Sequence, residues 1–424
     1  MDHNDVKYEQ YLQILREELL PAMGCTEPIA MAYAAAKARQ VLGKLPDRID
    51  IVISGNIIKN VKSVVVPNTG GLKGIAAAIA AGTVVGDADK QLEVLAFVDP
   101  EDIPKISDYM SSCQMSVMKA DSGKMLDIDL SVYSGTDNVR LRICDYHTNI
   151  VLIEKNGEVL LKKDADGDAE SETDRSILNV RDILDFAESV RLEDVQSMLE
   201  QQIEYNLAIS EEGLRGNYGA SIGKTLLETR GDDVRVRARA QAAAGSDARM
   251  SGCELPVVIV SGSGNQGMTA SLPVIVYALD MKASHEQLLR ALVVSNLITI
   301  HQKTPIGRLS AFCGAVSAGC GAAAGVAWLL EGTYEAVSAT ITNTLGMISG
   351  TVCDGAKPSC ATKIASAVEA GLLGFDLYEK GKALHGGDGI LKDDVERTIE
   401  SVGQLAREGM RETDEEILDI MLEE

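Results

Sequence analysis

Apolar residues recur at helical spacing through most of this chain. Residues 5–20 (DVKYEQYLQILREELL) place them three and four positions apart, which predicts an amphipathic helix. A loop over Pro21–Pro28 then leads into an Ala-rich stretch, and Pro28 suits the first turn of a helix there. From Arg181 onward nearly every segment has the helical pattern, with Gly-rich loops between segments. The pattern therefore indicates a mostly helical protein.

Patterns typical of β-strands are concentrated in the N-terminal third. The segment RIDIVISGNIIKNVKSVVVP predicts two strands on either side of Ser54-Gly55-Asn56. Between about Leu92 and Lys163 one helix, DIPKISDYMSS, is predicted among several strands, and Asn156-Gly157 is typical of a hairpin turn. The segments predicted as strands are LEVLAFV, MSVMKA, DIDLSVYSG, NVRLRICDY and IVLIEKNGEVLL.

These patterns predict an α+β fold, in which a smaller α/β sheet module is inserted into a mostly α-helical domain. We assign residues 1–47, 66–90 and 170–424 to the helical domain. Residues 48–65 and 91–169 form the inserted module, and the acidic stretch 164–175 is predicted to be a linker or exposed loop.

Composition narrows the classes of partner. A net charge of −23 argues against binding to nucleic acid or to an anionic membrane, because both attract Lys and Arg. The N-terminus lacks the basic and apolar layout of a signal peptide. The stretch from Ala311 to Leu330 is long enough to cross a bilayer, but its many Gly and Ala residues favour close helix packing in a core. We therefore expect a cytoplasmic protein whose eight cysteines are thiols.

Four of the cysteines form two pairs that share a spacing of seven residues, which raises the possibility of a four-cysteine zinc site. Cys313 and Cys320 lie in a segment predicted to be helical, where seven residues rise about 10.5 Å. Because zinc holds each sulfur at about 2.3 Å, that pair cannot share one zinc ion. Between Cys353 and Cys360 a glycine and a proline interrupt the helix, so both thiolates can face one site.

Three cysteines then remain for a common site, namely Cys313, Cys353 and Cys360. Soft thiolates suit iron–sulfur clusters, and a missing fourth protein ligand leaves one position open for a substrate. The spacing alone gives equal weight to a simpler interpretation, in which these are small buried thiols in a Gly- and Ala-rich core. That simpler interpretation is preferred for four others: Cys113, Cys144, Cys253 and Cys320.

Further motifs accompany the three cysteines, and together they resemble the archaeal and bacterial L-cysteine desulfidases over most of the chain. That family is a distant relative of the α chain of iron–sulfur L-serine dehydratases. The motifs are Met23-Gly24-Cys25-Thr26-Glu27-Pro28, Pro67-Asn68-Thr69-Gly70-Gly71, Gly264-Asn265-Gln266-Gly267 and His385-Gly386-Gly387-Asp388-Gly389.

The resemblance implies a lyase that converts L-cysteine to pyruvate, ammonia and sulfide without pyridoxal phosphate. It implies a [4Fe–4S] cluster held in the helical domain by Cys313, Cys353 and Cys360, with one open iron that binds the substrate sulfur. Cys25 would be the base or a transient fourth ligand. Serine dehydratases of this type have Ser-Ser-His-Thr where this chain has Met-Gly-Cys-Thr, and this departure favours cysteine as the substrate.

The implied reaction also needs a base and a site that binds the carboxylate of the substrate. Cys25 precedes a predicted helix start, which would depress its pKa, and His385 in a Gly-rich loop is a second acid or base candidate. The Gly-rich turns PNTGGLKG and SGSGNQGMT can cradle an anion through backbone N–H groups, although glycine also serves tight helix packing. The predicted substrate-binding residues are Thr26, Asn68, Thr69, Lys73, Asn265 and Gln266.

Alternatives stay open at this point. The same cluster would serve an L-serine or L-threonine dehydratase, and a non-catalytic iron–sulfur redox-sensing protein would bind a cluster without turnover. A protein with no cluster would tolerate cysteine substitutions. The expected partner is a small amino-acid substrate, and the Ala- and Gly-rich helical surface is compatible with a homodimer. Lys303, Arg308 and Lys357 lie near the cysteines in sequence and could offset cluster charge, or could be solvated helix residues.

Overall fold

The computed structural model describes residues 1–163, 173–307 and 310–423. It is mostly helical (61%) and has a six-stranded mixed sheet within residues 48–162, which confirms the predicted α+β class. The predicted acidic linker lies for the most part outside the described residues, and so does Arg308.

Sixteen α-helices are present in the described ranges. In chain order they are α1 Val6–Glu18, α2 Thr26–Leu42, α3 Gly55–Val61, α4 Gly74–Val85, α5 Ile103–Ser112, α6 Val180–Ser189, α7 Leu192–Arg215, α8 Ile222–Arg230, α9 Val234–Met250, α10 Gly264–Asp280, α11 His285–Ile306, α12 Gly314–Glu331, α13 Tyr334–Ile348, α14 Cys360–Glu379, α15 Val395–Gln404 and α16 Arg411–Leu422.

The strands form two separate sheets. In chain order they are β1 Pro21–Met23, β2 Arg48–Ile53, β3 Gln114–Lys119, β4 Asp127–Ser134, β5 Asp137–Cys144, β6 Ile150–Lys155, β7 Glu158–Lys162 and β8 Pro256–Val258. The larger sheet has the order β3-β2-β4-β5-β6-β7, in which β2 and β3 are parallel and all other neighbours are antiparallel. The predicted hairpin turn is confirmed, because Asn156 and Gly157 both have positive φ angles, 51° and 83°.

Two predicted strands were wrong. The segment after β2 forms the helix α3, because its apolar residues recur at helical spacing. Apolar side chains such as Ile57 and Val61 are buried in the core, while Asn56 and Lys59 reach a cavity. In place of the predicted strand LEVLAFV, residues 88–93 form a 3₁₀ helix, and the next residues are turns whose backbone groups bond locally, as from the Val94 N–H to the Gln91 carbonyl at 3.1 Å.

One face of the large sheet is covered by α2, which packs against β4 and β5, and α4 packs on α2. Alternate residues of β2, such as Ile49 and Ile51, share a hydrophobic core with both helices. The predicted boundaries assign α2 and α4 to the helical domain, yet their buried side chains pack with the sheet.

The centre of the helical part is α12, which packs against α10, α11, α13 and α14. Its small residues allow this close approach: a Cβ atom at Gly319 would lie 2.7 Å from the carbonyl carbon of Ala367 in α14. By length and composition α12 is the one helix in the described ranges that could cross a membrane, with a mean hydropathy of 1.2. Since 78% of it is buried against its neighbours, it has the character of a core helix.

The small sheet positions the functional region. Strands β1 and β8 pair antiparallel, with Met23 opposite Pro256. This pairing brings the segment that enters α2 next to the Gly-rich turn that enters α10, and the Thr26 hydroxyl donates to the Gly262 carbonyl at 3.2 Å.

Candidate functional site

The N-terminal ends of four helices, α2, α10, α12 and α14, border one cavity of about 110 Å³. Helix N-termini carry partial positive charge and unpaired N–H groups, so their convergence favours anions. The side chains that can carry chemistry in this cavity are Cys25, Thr26, Glu27, Asn56, Lys59, Asn60, Arg249, Asn265, Gln266, Lys303, Cys313, Cys353 and Cys360.

Two cysteine-bearing segments are joined by a short β-bridge between Phe312 and Val352. The Cys313 N–H donates to the Thr351 carbonyl at 3.0 Å, and the Cys353 N–H donates to the Ala311 carbonyl at 2.6 Å. The bridge therefore fixes both cysteines beside each other although they are far apart in sequence.

Helix ends position two of these thiols. Cys313 is the N-cap residue of α12, and Cys360 is the first residue of α14. The loop between Cys353 and Cys360 contains Gly355, whose φ of 93° is a left-handed conformation that favours glycine. The helix that was expected to contain Cys313 begins one residue later, which leaves Cys313 at the cavity wall.

The three thiols influence one another. Burial, followed by the charge of Cys353, raises the pKa of Cys313 to about 12, while the Ala315 N–H and Lys363 lower it. Burial also raises the pKa of Cys360. Because metal ligands are thiolates, loading a metal here would release protons.

The other cysteines lie elsewhere. Cys320 is fully buried within α12, with its sulfur 3.9 Å from the Ile341 carbonyl. Of the described residues that line the cavity, none is Cys113, Cys144 or Cys253.

The donor set fits a cluster better than a single ion. In residues 1–163, 173–307 and 310–423 no three His, Cys, Asp or Glu side chains come close enough to hold one metal ion. A cluster attaches each thiolate to a separate iron and so accepts a wider spacing, and three soft thiolates are suitable donors for it. The zinc alternative is therefore disfavoured by the structure as well as by helix geometry.

Cys25 is the N-cap residue of α2 and is buried beside a carboxylate. Its thiol donates to Glu27 Oε2 at 3.0 Å, and Asn60 donates to Glu27 Oε1 at 3.3 Å. Burial, followed by the charge of Glu27, raises the pKa of Cys25 well above its ordinary range, and Arg249 lowers it only in part. The depressed pKa expected from the helix start is wrong, because burial and the carboxylate outweigh the helix terminus.

The two Gly-rich turns differ in position. Asn265 and Gln266 line the cavity, whereas Asn68, Thr69 and Lys73 do not. Asn68 donates to the Leu95 carbonyl at 2.6 Å, and the Thr69 hydroxyl donates to the Val66 carbonyl at 2.7 Å. The Thr69 hydroxyl therefore stabilises its own loop, and Asn68 links that loop to the segment that contains Leu95.

His385 lies on the surface, outside the cavity. Its backbone N–H donates to Asp388 Oδ2 at 2.9 Å within the same loop. The acid or base role proposed for it stays a prediction.

Several polar cavity residues were missed by sequence analysis, and Glu27, Lys59 and Arg249 are the charged ones. Glu27 belongs to the motif already noted around Cys25. Arg249 and Asp247 are the two charged residues of a mostly small-residue segment, AAAGSDARM, and nothing in that pattern shows which of them borders the cavity. Lys59 was obscured by the wrong strand prediction.

A larger cleft of about 710 Å³ adjoins the cavity. On its far side it is bordered by α16, whose Asp414 forms an ion pair with the buried Lys59. The two spaces have five lining residues in common, namely Glu27, Asn56, Lys59, Ser263 and Ser310. The cleft is therefore a route by which a small molecule could reach the thiols.

Fold and site define a helical protein with an anion-favouring, thiol-lined cavity, and comparison with known proteins extends this description. The family model described as serine dehydratase alpha chain matches residues 89–419, and the chain belongs to that family. The match contains Cys313, Cys353 and Cys360 but not Cys25.

Relatives cover the remaining N-terminal residues. A UPF0597 protein of Desulfitobacterium hafniense is 57% identical over 423 residues, which is 100% of this chain and 98% of that protein. A UPF0597 protein of Treponema denticola is 50% identical over 99% of both chains. One from Actinobacillus pleuropneumoniae is 39% identical, over 96% of this chain and 95% of its own. The segment around Cys25 is thus part of the shared protein.

Proposed function

We propose that this protein is a carbon–sulfur lyase that converts L-cysteine and water to pyruvate, ammonia and hydrogen sulfide. The observation that carries the proposal is the bridge between Phe312 and Val352, which brings Cys313 and Cys353 into one cavity with Cys360 and Cys25. Membership of the serine dehydratase alpha chain family supports amino-acid elimination as the reaction class.

Cys313, Cys353 and Cys360 are the residues that would hold a [4Fe–4S] cluster, which is in keeping with the general iron–sulfur dependence of the family. When bound, such a cluster would supply a Lewis-acidic iron that stabilises the departing sulfur. The protein supplies the surroundings: Lys303 lines the cavity with only 4% of its surface exposed and places a positive charge near the thiols.

The elimination breaks the Cα–H and Cβ–S bonds, so the chain must also take up a proton. Cys25 and Glu27 form the proton-holding pair: the Cys25 sulfur lies 3.0 Å from Glu27 Oε2, and Thr26 also donates to that oxygen at 3.1 Å. The Cys25 thiol already carries a proton, so the sulfur accepts the Cα proton only as the thiol proton passes to Glu27 Oε2. One of these two protons then returns to the departing sulfide. The product of elimination, aminoacrylate, then tautomerises and is hydrolysed to pyruvate and ammonia.

Burial excludes bulk water from this pair. Cys25 and Glu27 are 4% and 8% exposed, so electrostatic interactions there are stronger than in water.

The alternative within the same family is dehydration of L-serine or L-threonine, and the family match favours it. Cys25 in the position of the dehydratase histidine favours L-cysteine.

The decisive experiment is anaerobic reconstitution with iron and sulfide, followed by assays of sulfide released from L-cysteine and pyruvate released from L-serine. Cys353→Ser should lose iron binding and turnover, because a serine oxygen is a harder donor than a thiolate. Cys320→Ser is the matched control, since this thiol is buried outside the cavity, and it should retain the cluster absorbance.

The outcomes separate the candidates. Sulfide release from L-cysteine at a much higher kcat/KM than pyruvate release from L-serine supports the desulfidase. The reverse ratio identifies a dehydratase. Reconstituted protein that takes up no iron, or Cys353→Ser that retains the full cluster spectrum, contradicts the proposed cofactor site.

A further inference from the structure

Arg249 is a buried cation for which the described part of the chain provides no carboxylate partner. It lies in the last turn of α9 and is 3% exposed. Within the described ranges its side chain makes one hydrogen bond, from Nη1 to Asn265 Oδ1 at 3.2 Å, and its Nε is buried without an acceptor. Among residues 1–163, 173–307 and 310–423 no Asp or Glu forms an ion pair with it. Removing a guanidinium from water costs solvation free energy, which favourable interactions with negative charge must offset. The partial negative charge at the C-terminus of α9 offsets this cost only in part.

The fold makes room for this side chain at the cavity. A Cβ atom at Gly264 would lie 2.5 Å from Arg249 Nε, so only glycine at the start of α10 admits the guanidinium. Arg249 lines the cavity together with Asn265 and Gln266, at the N-terminal end of α10. Guanidinium and helix N-terminus both favour an anion at this point.

Gln266 provides a complementary group. Its side chain is 6% exposed, and Oε1 is buried without a donor. The amide packs against Gly314, where a Cβ atom would lie 2.6 Å from the Gln266 carboxamide carbon, and Gly314 follows Cys313 directly. An unpaired acceptor therefore lies next to the cysteine segment, and an unpaired cationic donor lies on the neighbouring wall.

We propose that Arg249 binds the α-carboxylate of the amino-acid substrate and that Gln266 Oε1 accepts a hydrogen bond from its α-ammonium group. This inference rests on the proposed function and assigns the residues that bind the two charged groups of its substrate. Amines without a carboxylate, and amino acids whose carboxylate is blocked as an amide, are excluded. Arg249 and Gln266 are substrate-binding residues that hold the reacting carbons beside the thiols and Cys25.

The test measures binding of L-alanine to the anaerobically reconstituted protein by isothermal titration calorimetry. L-Alanine has the carboxylate and ammonium groups but no leaving group, so it binds without reacting. L-Alaninamide and ethylamine retain the ammonium group and lack a free carboxylate. The wild-type protein should bind L-alanine and bind the other two at least tenfold more weakly.

Arg249→Gln should weaken L-alanine binding about tenfold to hundredfold, the range for a lost hydrogen bond to a charged group. Arg249→Lys should retain part of the affinity, since it keeps the charge but not the planar fork. Arg239→Gln is the matched control: Arg239 lies on the same helix, pairs with Glu369 at 3.1 Å and does not line the cavity. In turnover, Arg249→Gln should raise KM for L-cysteine more than it lowers kcat.

Wild-type protein that binds L-alaninamide as tightly as L-alanine, or that binds no L-alanine, overturns the inference without any variant. Unchanged L-alanine affinity in Arg249→Gln overturns it as well. L-Alanine binding that depends on Arg249 in a protein that releases no sulfide would retain this site and reject the desulfidase proposal. Sulfide release with binding independent of Arg249 would reject only the carboxylate assignment.

Discussion

Asp247 is a buried carboxyl group whose removal should stabilise the protein. It is 0% exposed on α9, and its Oδ2 accepts the backbone N–H groups of Ile222 and Gly223 at 2.6 and 3.3 Å. Its Oδ1 has no hydrogen-bond partner among the residues that the structure describes. Burial raises the pKa of Asp247 from its ordinary 3.8 to about 6, although the two N–H groups lower it.

The size and sign of the effect follow from that shift. Between pH 3.8 and about 6 the folded protein holds a proton that the unfolded chain has released, so stability falls as pH rises. At about 1.36 kcal/mol per pKa unit, the raised pKa costs about 2 kcal/mol of stability at pH 5 and about 3 kcal/mol at pH 8. Asp247→Asn keeps an acceptor for the α8 N–H groups and removes this cost.

Urea unfolding between pH 5 and pH 8 measures the difference, with the fluorescence of the single tryptophan, Trp328 in α12, as the probe. Asp247→Asn should be more stable than the wild type, by a margin that grows with pH. Asp127→Asn is the opposed control: Asp127 is 2% exposed but accepts two hydrogen bonds from Arg142, at 2.9 and 2.8 Å. Its substitution should destabilise the protein at neutral pH, because the partly buried Arg142 guanidinium loses its carboxylate partner.

The reasoning fails if Asp247→Asn is no more stable than the wild type at pH 8. A stability gain that does not vary with pH would also contradict the reasoning, because the gain would then come from packing and not from the ionisation of Asp247.

Two other predictions concern α10 and Cys25. In Gly267→Ala the new Cβ would lie 1.9 Å from the Val258 carbonyl oxygen, so α10 must shift from β8 at a cost of about 1–3 kcal/mol, seen as a lower urea midpoint. Gly346→Ala is its control, since its nearest neighbours are flexible leucine side-chain ends, and equal midpoints would contradict the argument. Cys25→Ala should retain the cluster absorbance and lose turnover, whereas loss of that absorbance would make Cys25 a ligand.

Periodicity was sufficient for most of the fold but not for the segment after β2. In NIIKNV the apolar residues fit a short strand or a short helix, and only the surroundings decide between them. The helix is formed because its polar face, with Lys59, borders the cavity while Ile57 and Val61 enter the core. Local pattern could not reveal this, since the cavity is assembled from distant segments.

The site shows the same division. Three cysteines and the motif around Cys25 could be selected from sequence and resemblance. Arg249 could not, because its importance comes from the absence of a carboxylate partner in the described structure, and no sequence shows which charges remain unpaired. Asn68 and Lys73 belong to a Gly-rich turn very like the one that contains Asn265, and only tertiary structure shows that one turn borders the cavity and the other does not.

The glycines at the starts of α10 and α12 have a role that the two interpretations of the Gly-rich turns did not include. The alternatives were a cradle of N–H groups for an anion and close packing of helix against helix. At Gly264 the space without a side chain is filled by the Arg249 guanidinium, and at Gly314 it is filled by the Gln266 carboxamide. Each glycine thus admits a long polar side chain from another segment to the rim of the cavity. Because helix N-termini and these side chains then point to the same small volume, the Gly-rich turns determine which polar groups a ligand meets there.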